Sequence, residues 1–134
     1  MSTPVLFTEA WIADLKSRAS LTSLLVNGGA EEIREAEWQG TDFQYPNIRV
    51  SLDFMPPIEG CGPIDADVYL EVFSAEKSSK QATIIASKIV ELYHKRPFIS
   101  NTIHFSTVAV RKVEKPNRSI YAWVSTVHIF CQGI

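Results

Sequence analysis

Two stretches of the chain alternate apolar and polar residues with a period of two, the pattern of a strand that buries one face. The first is YPNIRVSLDF, residues 45–54, and the second is DVYLEVFS, residues 67–74. Pro46 stands at the start of the first stretch, where a missing backbone N–H is tolerated best. Because a helix cannot bury every second residue, the chain must contain a sheet with one face against a core, and the alternation predicts strands at about 46–55 and 67–74.

Two amphipathic helices are predicted to cover that face. Apolar residues recur every three to four positions at 6–19 and again at 76–94, which builds one apolar stripe on each helix. A short helix is predicted at 20–26, where the Asn27-Gly28-Gly29 turn ends it. Pro97 is predicted to stop the last helix. The acidic segment 30–38 fits either a strand or a short helix.

Two further strands, at about 101–114 and 119–131, are predicted to form a closing antiparallel hairpin around the turn sequence KPNR. The first of them changes parity between Phe105 and Val108, which indicates a β-bulge. The whole pattern predicts a single α+β domain over 1–134: an antiparallel sheet of about four to five strands flanked by two main helices.

The closing strand is apolar on both faces, whereas a sheet with helices on one side should have one wet face. We therefore expect its second face to be covered by another chain or a long loop. The Pro- and Gly-rich loop at 55–66 is a second candidate contact element, since long ordered loops usually carry function. The candidate subunit or partner interface is Met55, Ile58, Ile64, Tyr121, Trp123, Val127 and Ile129.

Charge is distributed unevenly along the chain. Residues 1–76 carry thirteen acidic and four basic side chains, a net charge of −9, whereas residues 77–134 carry two acidic and nine basic side chains, a net charge of +7. A polar molecule of this kind favours head-to-tail contacts between copies, and such contacts close into rings. The candidate residues for an acidic lumen or a subunit contact are Glu31, Glu32, Glu35, Glu37, Glu59, Asp65 and Asp67.

No catalytic, cofactor or metal motif is present, so we expect no enzyme activity, no cofactor and no metal site. His104 and His128 are the strongest candidate pair for a metal or acid–base site, because a bulge in the closing hairpin would bring them together. No nucleophile motif or suitably placed carboxylate accompanies them in the sequence. Cys61 and Cys131 fit no zinc spacing and are expected to be reduced thiols, with Cys131 buried in a strand. No apolar run approaches the ~18 residues of a membrane span, and the N-terminus does not read as a secretory signal.

The order and length of these elements resemble those of the tail-completion, or tail-terminator, proteins of long-tailed bacteriophages. The resemblance covers nearly the whole chain and rests mainly on the proline-led strand at Tyr45-Pro46 and on VYLEVFS leading directly into the helix SSKQATIIASKIVELY. The Gly-Gly turn before a short acidic segment also fits.

The resemblance implies a homohexameric ring that caps the finished tail tube, stops its polymerisation and joins the tail to the head connector. Its partners would be the tail tube protein, a neck or connector protein, and genome DNA that passes through the lumen without sequence-specific binding. The protein would be assembled in the host cytoplasm, away from any membrane, and would end in the virion.

Two alternatives remain open from the sequence. One is a different neck or connector component of the same virion. The other is a small dimeric α+β barrel enzyme, whose pocket would be lined by Tyr121, Trp123, His104 and His128. The two classes differ in symmetry, since the enzyme would be an isologous dimer and the virion protein an open ring.

Overall fold

The computed structural model describes residues 3–25, 33–36, 44–55, 65–99, 104–118 and 122–133. Its helices are α1 (Thr3–Lys16), α2 (Ala19–Thr22) and α3 (Lys80–Tyr93). Its strands are β1 (Ile33–Glu35), β2 (Asn47–Met55), β3 (Asp65–Ser74), β4 (Arg96–Ile99), β5 (His104–Val113), β6 (Asn117–Arg118) and β7 (Trp123–Gly133).

The described strands form one seven-stranded mixed sheet in the order β1-β2-β3-β7-β5-β4, with β6 also paired to β7. β1 runs parallel to β2, and the other pairs are antiparallel. The α+β class is confirmed, but the sheet is larger than the predicted four to five strands and is not purely antiparallel. The additional strands have only two to four residues, too few for a period-two pattern to be recognised.

The first helix ends earlier than its apolar stripe predicts. α1 stops at Lys16, and Arg18 has an extended backbone before the single turn of α2 begins. The Ser17 hydroxyl donates a 2.6 Å hydrogen bond to the Asp14 carbonyl oxygen, and such back-bonding competes with the helical hydrogen-bond pattern. The break turns Leu21 into the core, where it is fully buried.

The end of α3 at Tyr93 lies one residue before the predicted end at residue 94, and contacts with β5 set it. Lys95 adopts a left-handed backbone with φ 59° and donates its N–H to the Val108 carbonyl oxygen at 2.7 Å. The Nδ1 atom of His94 accepts the N–H of Val110 at 3.0 Å. The chain therefore turns at once into β4, and Pro97 lies within that strand, at an irregularity in its pairing with β5.

The core lies between the helices and one face of the sheet. Trp11 of α1 is fully buried and stacks on Phe98 with ring centroids 4.4 Å apart, while the Tyr93 ring lies 5.0 Å away. Every second residue of β3 is buried. On β7 the buried residues are Ser125, Val127, Ile129 and Cys131. α1 and α3 both pack on this core face.

The closing hairpin is antiparallel, and its register shifts between Phe105 and Thr107 and again between Val110 and Lys112. The bulge predicted from the parity change is therefore confirmed. The turn is not centred on KPNR, however, because Asn117 lies opposite Val124 and Arg118 opposite Trp123. The backbone of 117–118 thus continues the ladder past the predicted turn.

Candidate functional site

The sheet has a second face that no described helix covers, and we call it the open face. Most of its side chains are half-buried or exposed, whereas most of those on the core face are buried. We define the open face as Ser51, Asp53, Asp65, Asp67, Tyr69, Glu71, Phe73, Arg111, Val124, Thr126, His128 and Phe130. Asn47, Arg49 and Lys112 share this face by register, opposite Phe73, Glu71 and His128, and of these Asn47 and Arg49 are buried.

A stacked aromatic pair occupies the centre of the open face. Tyr69 of β3 lies opposite His128 of β7, and their ring centroids are 4.6 Å apart at an angle of 16°. The Nε2 atom of His128 lies 3.0 Å from an Asp67 carboxylate oxygen, with both side chains only partly exposed. Partial desolvation, followed by the charges of Asp67 and Asp53, raises the pKa of Tyr69. The two rings thus stack on each other across β3 and β7, and an Asp67 carboxylate lies beside them.

Two carboxylates of the open face stand on directly opposed backbone positions. Asp53 of β2 is paired in register with Asp67 of β3. Like charges directly opposite each other in a sheet are destabilising. The Nε2 atom of His128 contacts the Asp67 carboxylate, and the guanidinium of Arg111 lies 4.8 Å from the centroid of the Phe130 ring. This end of the face, with Asp65 at the start of β3, is the acidic end.

Basic side chains follow the hairpin segment 111–118 from the acidic end of the open face towards the other end of the sheet, since Arg111 covers Phe130 and Lys112 is paired opposite His128. The hairpin segment 111–118 carries Arg111, Lys112, Lys115 and Arg118 against one acid, Glu114. Its far part pairs with β7 at Val124, six residues from Phe130 of the acidic end. At about 3.4 Å per residue, the two ends lie roughly 20 Å apart along β7. Arg118, paired with Trp123, thus lies farther from the acidic end than the Debye length at physiological salt, about 8 Å, whereas Arg111 and Lys112 lie beside that end.

Two cavities border the described elements. One, of about 200 Å³, is lined by Tyr45, Asn47, Arg49 and Phe73 at the edge of the open face. The other, of about 350 Å³, lies where α2 meets the start of α3, beside the exposed side chain of Ile84. Among the described residues that line them, neither cavity brings a nucleophile together with a histidine base.

The predicted interface residues of the closing strand lie mainly on the core face. Val127 and Ile129 are fully buried within the protomer, so they cannot form a contact surface for another chain. Trp123 is half-buried, with the Arg118 guanidinium 5.8 Å from its ring centroid. The backbone of Met55 ends β2. Ile58, Ile64 and Tyr121 lie outside the described residues.

The expected surplus of apolar side chains on β7 exists, but on the opposite face from the one predicted. Val124 and Phe130 belong to the open face, together with Phe73 of the neighbouring strand. Alternation alone does not reveal which of two apolar faces meets the helices. The signal that would have found the answer is the neighbouring strand, since β3 is acidic on the side that faces away from the core.

The predicted acidic residues are separated in space. Asp65 and Asp67 lie at the acidic end of the open face, whereas Glu35 is exposed at the end of the edge strand β1. Asp53 was not among the predicted acidic residues, but it lies directly opposite Asp67 in the register of β2 and β3. The remaining predicted acids lie outside the described residues: Glu31, Glu32, Glu37 and Glu59.

The predicted pair of His104 and His128 does not form. Phe105, the neighbour of His104, lies opposite Gly133, five residues along β7 from His128. At about 3.3 Å per residue this is a separation of roughly 16 Å along the strand. The pocket of the enzyme alternative is therefore not assembled from these two residues within one chain.

Cys131 is a free, buried thiol on the core face of β7. Burial, with a smaller contribution from Asp67, raises the pKa of this thiol to about 12. The prediction of a reduced cysteine in a strand is confirmed for Cys131, and a thiol with so high a pKa is not a nucleophile at neutral pH.

Within the described parts of the chain, no group of three or more histidine, cysteine or acidic side chains is arranged to hold a metal ion. None of the described helices is long and apolar enough to cross a membrane.

Comparison with known proteins identifies the fold. The sequence matches no protein-family model and no curated protein. The structure is similar to a chain from a solved structure described as "Virion of native gene transfer agent (GTA) particle", with a TM-score of 0.75 and 9% sequence identity, over 99% of this chain and 98% of the other. A second solved chain, 14% identical, gives a TM-score of 0.67 over 100% of this chain and 97% of the other. At these identities the likeness establishes a shared α+β fold.

Proposed function

We propose that this protein is a structural component of a phage-like virion. The observation that carries the proposal is the likeness, over 99% of the chain, to a chain of a gene transfer agent virion. Because the likeness extends over nearly all of both chains, it concerns the whole fold rather than one local motif. The open face supports the same conclusion, since a stacked aromatic pair among partly exposed charged side chains, on a sheet face that no described helix covers, is suited to contact with another protein.

Within that class, we propose the tail-terminator role: a ring of six copies that caps the tail tube, stops its polymerisation and presents a surface to the head connector. The order of the elements supports this role, as does a sheet with one face uncovered by described helices. The division of opposite charges between the two parts of the sequence, residues 1–76 and 77–134, favours head-to-tail contacts, which close into rings.

The acidic residues would then line the lumen or a subunit contact. A lumen through which DNA passes should repel phosphate, because basic side chains would bind the backbone in a salt-dependent way. The residues proposed for these positions are Glu31, Glu32, Glu35, Glu37, Glu59, Asp65 and Asp67.

The proposal is tested by measuring the mass of the purified protein alone and after mixing with tail-tube subunits, followed by negative-stain imaging. We expect a closed ring, formed alone or on the end of the tube, that prevents further tube growth. A strict monomer under both conditions would contradict the terminator role. A ring that binds the head connector but leaves tube growth unchanged would instead identify another neck component.

A further inference from the structure

The chain turns from α3 into β4 through a short corner, residues 94–97, that is held by two hydrogen bonds to β5. The backbone N–H of Lys95 donates to the Val108 carbonyl oxygen at 2.7 Å, and the backbone N–H of Val110 donates to Nδ1 of His94 at 3.0 Å. Because Arg96 pairs with Val108, the antiparallel register would set residue 94 opposite Val110.

The backbone of His94 is not free to continue that ladder. It ends α3, and its N–H donates to the Val90 carbonyl oxygen at 2.9 Å. The imidazole side chain therefore takes the place of a strand residue and accepts the Val110 N–H in its stead. A titratable side chain completes the edge of β5 where the backbone of β4 does not reach.

The corner is conformationally strained. Lys95 has a left-handed backbone with φ 59°, which costs energy for a residue that carries a Cβ atom. The pairing of β4 with β5 is irregular around Pro97, which has no backbone N–H to donate. On either side the chain is anchored, since Tyr93 and Phe98 both pack on Trp11. A strained segment between two anchors keeps its conformation only while its own hydrogen bonds hold it.

One of those hydrogen bonds depends on the protonation state of His94. To accept the Val110 N–H, Nδ1 must carry no proton, so the folded protein holds the neutral tautomer with its proton on Nε2. Histidine side chains ordinarily gain a second proton between about pH 8 and about pH 5. That proton would go to Nδ1 and point at the Val110 N–H, which replaces a hydrogen bond by the contact of two donors.

We propose that residues 94–97 form an acid-sensitive conformational switch, closed while His94 is neutral and opened when its imidazole is protonated. In the open state the strained turn at Lys95 relaxes, and the edge of β5 loses the partners that the corner supplied. The contacts with Trp11 confine the change to this segment. The switch acts within one protomer and does not depend on ring formation.

The charged and titratable groups on the elements that meet at this corner give protonated His94 no carboxylate partner. They are Lys88, Glu91, Tyr93 and Lys95 on α3 and its continuation, Arg96 on β4, Arg111 and Lys112 on β5, Asp14 and Arg18 on α1, and His128 and Cys131 on β7. Both acids among them already have partners, and none of the ion pairs of the described residues includes His94. The C-terminal dipole of α3 favours an added charge, but less strongly than the loss of an acceptor for a partly buried backbone N–H opposes it.

Amide hydrogen exchange in the wild-type protein, followed by NMR, tests the switch. Between about pH 7.5 and about pH 5, the protection factor of the Val110 amide should fall about tenfold or more, because the open state binds a proton that the closed state excludes. The Leu70 amide in the centre of β3 is the internal control and should keep its protection. Unchanged protection of Val110 would overturn the proposal, as would an equal fall at Leu70, which would identify global unfolding.

His94→Asn is the diagnostic variant. The Oδ1 atom of asparagine lies where Nδ1 stands and accepts the same N–H, but it does not titrate. The protection of Val110 should then be equal at both pH values. His128→Asn, the matched change at the histidine of the open face, should leave the fall intact. If the fall persists in His94→Asn or disappears in His128→Asn, another group causes it and the proposal is wrong.

The tautomer of His94 provides a second measurement that needs no variant. At about pH 7.5 the nitrogen chemical shifts of the ring should identify Nδ1 as the unprotonated atom, and a coupling across the hydrogen bond should connect it to the Val110 N–H. A proton on Nδ1 of the folded protein at this pH would overturn the proposal.

Discussion

At the scale of single residues, Tyr93 connects the helices on the core side of the sheet most directly. Its ring packs on Trp11, and its hydroxyl donates a hydrogen bond to the Asp14 carboxylate, which Arg18 also contacts. Burial, followed by the hydrogen bond to Asp14, raises the pKa of Tyr93 well above its usual value. One phenol therefore joins the end of α3 to the end of α1.

The raised pKa predicts a loss of stability at alkaline pH. Below about pH 10 both states of the protein hold the Tyr93 proton, so the contribution is constant. Above that pH the unfolded chain releases the proton while the folded protein keeps it, and the free energy of unfolding falls by up to about 1.4 kcal/mol per pH unit. In Tyr93→Phe this alkaline decrease in the free energy of unfolding should disappear. At pH 8 the variant should be less stable than the wild-type protein by about 1 kcal/mol, because it lacks the hydrogen bond to Asp14.

Urea denaturation at pH 8, about pH 10 and about pH 11, on either side of the ordinary tyrosine pKa, measures the effect. Tyr69→Phe is measured beside it, because the raised pKa of Tyr69 gives the open face an alkaline dependence of its own. The fall that Tyr93→Phe removes should be the larger of the two, since Tyr93 is buried and Tyr69 is partly exposed. Cys131 adds its own alkaline dependence equally to all variants. Parallel pH profiles for wild type and Tyr93→Phe would contradict the interpretation.

At the scale of elements, α3 shows how an amphipathic sequence pattern determines which side chains are buried and therefore stabilise the fold. Its buried residues are Ala82, Ile85, Ala86, Ile89 and Tyr93, which lie on one stripe against the sheet. The adjacent residue Ile84 is 46% exposed, whereas Ile85 is 1% exposed. Two identical side chains in neighbouring positions therefore differ only in the face of the helix they occupy.

Truncation of these two isoleucines should give very different results. Ile85→Ala should lower the free energy of unfolding by about 2–5 kcal/mol, through lost burial and the cavity left behind. Ile84→Ala should change it by no more than about 0.5 kcal/mol. Both values come from urea denaturation followed by circular dichroism at one pH. Equal losses would mean that α3 packs on the sheet in a different rotation.

At the scale of the whole molecule, we expect charge to act mainly on the assembly proposed above. The net charge of −2 conceals an acidic and a basic part of the sequence. In the described structure, the acidic side chains Asp53 and Asp67 lie on the open face beside Arg111 and Lys112, and Lys115 and Arg118 lie farther along the hairpin segment. Contacts between exposed charges weaken as salt screens them.

Self-association should therefore decrease with ionic strength. Between about 50 mM and 500 mM NaCl, we expect the concentration needed for ring formation to rise, since the Debye length shortens several-fold. Analytical ultracentrifugation at several salt concentrations measures this change. An uncharged osmolyte at matched osmolarity is the control. Association that strengthens with salt would indicate an apolar contact and would contradict a charge-based one.

The local pattern along the chain was sufficient for its larger elements. Period-two alternation indicated the β2 and β3 segments, and apolar residues repeating every 3.6 positions indicated α3. A change in the parity of the alternation indicated the bulge in β5. Each of these signals depends only on which face of a single element is buried. The end of α3 was predicted to within one residue of Tyr93. The short strands could not be predicted, because they depend on distant partners: β1 exists only beside β2.

What the sequence determined by itself was the general character of the protein: an α+β chain with a one-sided sheet, charge divided along its length, and no recognisable catalytic motif. What only the tertiary structure decided was which side chains meet. The register of β2, β3 and β7 brought Asp53, Asp67 and His128 together, separated His104 from His128, and buried Val127 and Ile129. The physical reason is that alternation is a property of one strand, whereas a surface is made by the alignment of several.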